Sequence, residues 1–248
     1  GGGCVTTRYR RAMAGFVAAT ALASAPAEAQ TPAPLPAFFS DVARDYRNMV
    51  SWDTLQWLSI GGVGALVVAE ADEALRVATE DPNAPVVLAL EGGDVYGNLT
   101  LQLPLAVGWW AIAKASSSPK GVAAGRDLLR AQISAFSWTY AIKYAVDRER
   151  PNGDPRSFPS GHASATFAAA MVLQQHYGWK VGLPSFAAAA YTAASRITVN
   201  KHWASDVAFG AVVGMAAGRT VTIDLRQTKL TVRPMKVPGG AGILFSSF

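Results

Sequence analysis

Three short stretches between residues 143 and 206 carry side chains that could hold and cleave a multivalent anion. The first contains Lys143 and Arg150, seven residues apart and followed by Pro151. On a helix they would stand two turns apart on one face. Pro151 biases Arg150 away from helical geometry, so Arg150 is expected where the helix ends. Two cations on one side suit a multivalent anion, and arginine can bind phosphate oxygens in pairs. The second stretch is Pro159, Ser160, Gly161 and His162, followed by the helix-like run Ala163–Gln174. Serine is a good N-cap, glycine lets a ligand approach the backbone, and a helix N-terminus favours negative charge. His162 would stand in that first turn. The third runs from Ser195 and Arg196 to His202 and Asp206. His202 and Asp206 have i,i+4 spacing, which on a helix lets the carboxylate fix the imidazole tautomer and present the other nitrogen as a nucleophile. Taken singly, each stretch has an ordinary counterpart: a solvated basic face, a plain helix cap, a surface His–Asp pair.

Together they spell K-x6-R-P, P-S-G-H and S-R-x5-H-x3-D with every fixed position present. The chain has three histidines in 248 residues, so two at assigned positions would coincide by chance roughly once in 10⁴. This set resembles the type 2 phosphatidic acid phosphatase (PAP2) and vanadium haloperoxidase superfamily. The resemblance implies that Lys143, Arg150, Ser160, Gly161 and Arg196 hold phosphoryl oxygens. It implies that His202 attacks phosphorus and becomes a phosphohistidine, that Asp206 orients it, and that His162 protonates the leaving oxygen. It implies neither metal nor cofactor. One departure is the short loop from Asn152 to Phe158 between two prolines, which leaves little chain for a lid and suggests an open mouth. His176 matches no motif position and reads as a polar residue at a helix end. Trp109, Trp110 and Trp203 suit core packing or an interfacial anchor.

The elements that must position these residues read as helices. Apolar segments of helical length cover Trp52–Ala69, Val95–Ala113, Leu128–Val146, Ala163–Trp179, Leu183–Thr198 and Trp203–Val221, separated by Pro, Gly, Asn and Ser clusters. The expected fold is all-α: a six-helix PAP2-like bundle over residues 40–221. After it, Val221, Ile223 and Leu225 alternate with polar residues and the pattern resumes at Leu230, predicting a small C-terminal β-hairpin or sheet in 222–248. Most apolar segments are short for a bilayer span of about 20 residues, which favours a bundle outside the membrane or resting on it slightly over a fully polytopic one.

Half of the residues are hydrophobic and 16% are charged, which excludes a disordered chain. A single cysteine, Cys4, excludes a disulfide framework or a Cys-rich metal site. The net charge of +5 comes without a basic run, so nucleic acid is not an expected partner. Arg8, Arg10 and Arg11 precede the apolar stretch Ala12–Ala25 and the small residues Ala27 and Ala29. This pattern predicts a signal peptide over 1–29, a linker over 30–39 and export, most plausibly to a bacterial periplasm. The function expected from these features is a metal-independent phosphatase acting on lipid phosphates, as monoesters or diphosphates, with membrane association. The alternatives are a soluble periplasmic acid phosphatase taking small phosphoesters and a vanadium-dependent haloperoxidase.

Overall fold

In the computed structural model, the described residues are 35–223, apart from 82 and 91, together with the backbone of 230–237 and 240–247. The expected signal peptide lies outside them. The helices are α1 (Leu35–Met49), α2 (Trp52–Ala69), α3 (Asp72–Ala78), α4 (Pro85–Leu90), α5 (Gly93–Gly97), α6 (Leu99–Ala115), α7 (Pro119–Val146), α8 (Gly161–Tyr177), α9 (Trp179–Thr198) and α10 (Ala204–Val221). β1 (Leu230–Val237) and β2 (Gly240–Ser247) pair antiparallel, with Leu230 opposite Ser247 and Val237 opposite Gly240.

The six expected apolar helices are present with shifted ends, and the differences have local causes. α1 begins at Leu35, inside the segment expected as linker. Pro36 does not prevent this, because its missing N–H and fixed φ cost nothing in a first turn. The apolar run from Val95 is broken at Asn98, whose side chain accepts the Thr100 N–H at 3.0 Å and starts a new helix. α7 extends back to Pro119, where the Ser118 hydroxyl accepts from Gly121 N at 3.2 Å. At the other end of the bundle, Val221 completes α10 and Thr222 caps it, so the alternation that begins at Val221 is not yet strand.

α8 lies at the centre, packed against α7, α9 and α10, while α2 lies on α10 and α6 on α7. The core is built largely from alanine, with Ala131, Ala135, Ala168, Ala169, Ala216 and Ala217 buried beside Leu128, Val172 and Val221. Such small side chains bury little area each but let backbones approach closely. The approach is tightest between α8 and α10. A Cβ on Gly214 would stand 2.2 Å from the Ser164 carbonyl oxygen, and one on Gly210 would stand 2.5 Å from that of Ser160. Glycine is therefore required on α10 for its N-terminus to lie beside that of α8, which is where the second and third motifs meet.

At the far end of α8, a buried ionic group ties α1, α7 and α8 together. Arg130 Nε and Nη2 donate to Asp45 at 2.7 and 2.5 Å, and its Nη1 donates to Asp127 at 2.8 Å. His176 Nε2 lies 2.8 Å from the other Asp127 oxygen. His176 is thus a buried partner in this group, not merely a polar residue at a helix end. Among the described residues no single helix is long and apolar enough to cross a membrane. α2 and α3 pass that test only as a pair, bent by 55°.

Candidate active site

Four helix ends converge on the motif residues: the C-termini of α7 and α9 and the N-termini of α8 and α10. Lys143 lies in the last turn of α7, which stops at Val146 because Asp147 adopts a left-handed conformation with φ 45°. Arg150 therefore sits in the following loop, beyond the helix end, and does not share a helical face with Lys143 as the spacing suggested. The loop is pinned by Ser157 N donating to Arg148 O at 2.6 Å and Arg150 N donating to Asp154 O at 2.8 Å. Lys143 is buried and its ammonium donates to the carbonyls of Arg156 and Ser157 at 2.7 and 3.0 Å. Burial, reinforced by the nearby Arg150 charge, lowers its pKa to about 8. One of its three N–H donors remains for a ligand.

Ser160 caps α8 by accepting Ala163 N–H at 3.4 Å, and its own N–H donates to Asp206 O at 2.9 Å, which locks the two N-termini together. Gly161 opens onto free space: the atom nearest to a Cβ there would be a Thr139 methyl at 3.9 Å. Arg196 lies buried in the last turn of α9. Its carbonyl accepts the N–H groups of Lys201 and His202, both at 3.1 Å, fixing the turn that carries His202. Arg150 Nε and Arg196 Nε are both buried, and neither has a hydrogen-bond partner among the described residues.

His202 does not stand on a helix with Asp206. It precedes Trp203, the N-cap of α10, while Asp206 occupies the third helical position and accepts Trp203 N–H at 2.9 Å. The carboxylate and imidazole still face each other, with His202 Nδ1 3.7 Å from Asp206 Oδ2. The Ser157 hydroxyl joins them, donating a short hydrogen bond to Asp206 Oδ2 and lying 3.5 Å from His202 Nδ1. Burial lowers the His202 pKa to about 4; Asp206 opposes that shift, and Lys143 and Arg150 add to it. The ring is therefore neutral at neutral pH, as a nucleophile must be. Burial alone would raise the Asp206 carboxyl, but the His202 imidazole, Ser157, the Trp203 N–H and Arg148 together hold it below the usual carboxylate range.

Sequence reasoning missed Ser157, Arg148, Asp72 and Asp94. Arg148 Nη1 donates to Asp206 at 2.8 Å and to Ser205 Oγ at 2.7 Å, and its Nη2 donates to Asp72 at 2.9 Å. Asp72, on α3, also accepts Ser205 N–H at 2.9 Å. Trp203 closes this side: its indole N–H donates to Glu149 O at 2.8 Å, and the Arg148 guanidinium lies 5.3 Å from its ring centre. Arg148 falls among the unspecified positions of its motif and Asp72 lies far away in the chain, so spacing carried no signal for either. Asp94, on the five-residue α5, pairs through one oxygen with Arg196 Nη1 and lies 3.0 Å from His162 Nε2. That second approach is out of line for a hydrogen bond, so the buried nitrogen has no hydrogen-bond partner among the described residues. Burial and then Arg196 lower the His162 pKa to about 4, with Asp94 opposing.

All eight residues singled out from the sequence thus lie at these four helix ends or on the loop and turn that join them. The arrangement holds a neutral imidazole backed by a carboxylate, a second imidazole, three cations and a glycine-opened helix N-terminus. That combination can bind a phosphoryl group and stabilise the charge that develops on it.

Known proteins share parts of this sequence and this fold. Over 82 residues the chain is 42% identical to the lipid A 1-phosphatase of Porphyromonas gingivalis, covering 32% of this chain and 18% of that protein. Over 58 residues it is 40% identical to the lipid A 4'-phosphatase of Helicobacter pylori, covering 23% of this chain and 29% of that one. The chain therefore spans less than a third of either relative. The transmembrane PAP2-type phosphatidylglycerolphosphate phosphatase of Bacillus subtilis shares its fold, with a TM-score of 0.57 at 20% identity over 67% of this chain and 94% of that one. The LpxE protein of Aquifex aeolicus does so with a TM-score of 0.52 at 20% identity over 61% and 93%. The model of the PAP2 superfamily matches residues 126–229, a span that contains all eight of those residues. The chain thus matches the PAP2 superfamily in sequence over residues 126–229 and resembles PAP2 phosphatases in fold.

Proposed function

We propose that the chain is a phosphoric ester hydrolase that removes a phosphoryl group from a phosphorylated lipid through a phosphohistidine on His202. The observation that carries this reading is the state of His202: buried, neutral, backed at Nδ1 by Asp206 and Ser157, and close to cations with unpartnered donors. The Nε2 lone pair attacks phosphorus while the ester P–O bond breaks, and His162 gives its proton to the departing oxygen. Arg150, Arg196, the remaining Lys143 donor and the α8 N-terminus neutralise the equatorial oxygens. Water, deprotonated by His162, then attacks phosphorus, breaks the P–N bond and releases inorganic phosphate, returning both histidines to their starting states.

Two features support a lipid substrate and membrane association. The relatives matched by sequence are named as phosphatases of lipid A. In addition, α2 exposes Trp52, Val63, Leu66 and Val67 along one side, and Ile112 and Leu183 are exposed elsewhere. Soluble monomers rarely leave so many large apolar side chains in water. The short loop from Asn152 to Phe158, which leaves little chain for a lid, suits a second reading equally: a small soluble phosphoester as substrate. A periplasmic location belongs to either reading and rests on the sequence pattern of residues 1–29.

The test is phosphate release from phosphatidate, lipid A and p-nitrophenyl phosphate in EDTA, for wild type and His202→Ala. Activity that survives EDTA and is lost in the variant is expected, with the lipids preferred. Preference for p-nitrophenyl phosphate would select the second reading. A variant within about tenfold of wild type would refute His202 as nucleophile.

A further inference from the structure

We infer that Asp94 makes this site selective for phosphomonoesters over diphosphates by placing a carboxylate where the leaving group must depart. The inference rests on the phosphatase reading above and on the role of His162 within it. A general acid has to lie within hydrogen-bond reach of the oxygen it protonates. The atom now 3.0 Å from His162 Nε2 is an Asp94 carboxylate oxygen, which also pairs with Arg196. Asp94 therefore stands where the leaving oxygen has to be, or immediately beside it once displaced.

The backbone holds it there. α5 lies against α9 because Gly93 and Gly97 have no side chain: a Cβ on Gly93 would stand 2.6 Å from Ser195 Cβ. A Cβ on Gly97 would stand 2.4 Å from a Thr192 methyl and 2.9 Å from the His162 ring. The Asp94 side chain is half exposed, so it can turn aside for a substrate yet cannot leave the rim.

A second observation points the same way. Beside His162 lies a chamber of about 110 Å³ lined by neutral side chains, among them Asn98, Gln132, Phe136, Thr139 and Tyr140, with no lysine or arginine. Lys143 and Arg150 lie beside His202, and Arg196 beside Asp94, outside this chamber. The leaving side offers amides, hydroxyls, aromatic rings and one carboxylate. Such a surface accepts an uncharged alcohol, and Asp94 can accept a hydrogen bond from a hydroxyl on it. A diphosphate would instead expel a phosphate-bearing group, setting its negative charges against Asp94 while Arg196, the cation beside it, is engaged by the transferred phosphoryl group.

An isoprenyl monophosphate and the diphosphate of the same chain present the same terminal phosphoryl group and differ in what leaves. The ratio of kcat/KM for the two thus cancels any gain in phosphoryl binding that follows from releasing Arg196. Wild type is expected to favour the monophosphate by about tenfold or more, the scale of one like-charge contact at a half-exposed site. Asp94→Asn should lower that ratio about tenfold, and Asp94→Lys should lower it further. This ordering by charge is one that mere structural damage would not produce. Wild type that cleaves the diphosphate as well as the monophosphate, or a ratio unaltered across the three proteins, would overturn the inference alone. Release from neither substrate by any of the three proteins would overturn the phosphatase reading and this inference with it.

Discussion

If His162 is the general acid, its own surroundings hold it in the wrong state. With a pKa near 4 it is almost wholly neutral at pH 5.5, because burial and Arg196 disfavour its charge. The substrate must supply the missing stabilisation. Replacing the single charge of Asp94 by a dianion adds one net negative charge near the ring. At about 4 Å and an effective dielectric of 20, that charge is worth about 4 kcal/mol. One pKa unit corresponds to about 1.4 kcal/mol, so the shift is roughly three units, or half that if solvent doubles the dielectric. The His162 pKa in the complex would then lie between about 5.5 and 7.

Anion binding at about pH 5.5 should therefore take up between half a proton and one proton. Sulfate is the right probe, since it is a dianion throughout this range and brings no titration of its own. Calorimetry in two buffers of different ionisation enthalpy reads the uptake directly. His162→Ala should abolish it and His202→Ala should leave it, because His202 is the more deeply buried ring and its charge is opposed by both Lys143 and Arg150. A binding enthalpy independent of buffer would refute the argument. Uptake that survives in His162→Ala and vanishes in His202→Ala would assign the proton to the nucleophile instead.

Two further outcomes follow from the same electrostatics. Lys143 is useful only when charged, and its folded pKa of about 8 lies below the usual lysine range. The kcat/KM profile should therefore fall as pH rises through about 8, and Lys143→Arg should move that limb to higher pH; an unmoved limb would exclude Lys143 as its source. By linkage, the unfolded chain holds this proton longer, so the lysine's contribution to stability should rise between about pH 8 and 10.5. Arg148→Met should leave the Asp72 and Asp206 carboxylates without their shared cation. A loss of about 2–3 kcal/mol is expected, below the full buried-pair value because Arg148 is one-third exposed, together with a drop in kcat larger than any change in KM. Thermal unfolding and steady-state kinetics check both, and an unaffected kcat would remove Arg148 from the support of His202.

The residues legible in the sequence are those whose chemistry needs fixed types at fixed spacing. Lys143, Arg150, Ser160, Gly161, His162, Arg196, His202 and Asp206 could be named because their motifs are local. Their mutual geometry was less legible. Lys143 and Arg150 looked like one helical face, and His202 and Asp206 like another, because spacing does not reveal where a helix stops. A left-handed Asp147 ends the first helix and Trp203 starts the second. The supporting residues were illegible for a different reason. Asp72 and Asp94 lie on helices of seven and five residues with no amphipathic period, and only packing on α10 and α9 brings them to the site. Apolar runs revealed the long helices but passed straight through Asn98, where a side-chain cap overrides composition.

The helix ends also explain how so many charges can sit together before any substrate arrives. Lys143 and Arg196 occupy the last turns of α7 and α9, where the helix dipole favours cations, and Asp206 occupies the first turn of α10, where it favours anions. Each charge is thus partly stabilised by its own helix, leaving the unpartnered donors of Arg150 and Arg196 available. A site stabilised in this way is largely formed before the substrate binds, so binding energy need not be spent on assembling it. Asp94 differs in being supplied by a helix of only five residues packed against α9, with its side chain half exposed. Its ion pair with Arg196 is a contact that a substrate reaching His162 would have to loosen. If Asp94 sets selectivity as inferred above, it is accordingly the place to alter it without dismantling the rest.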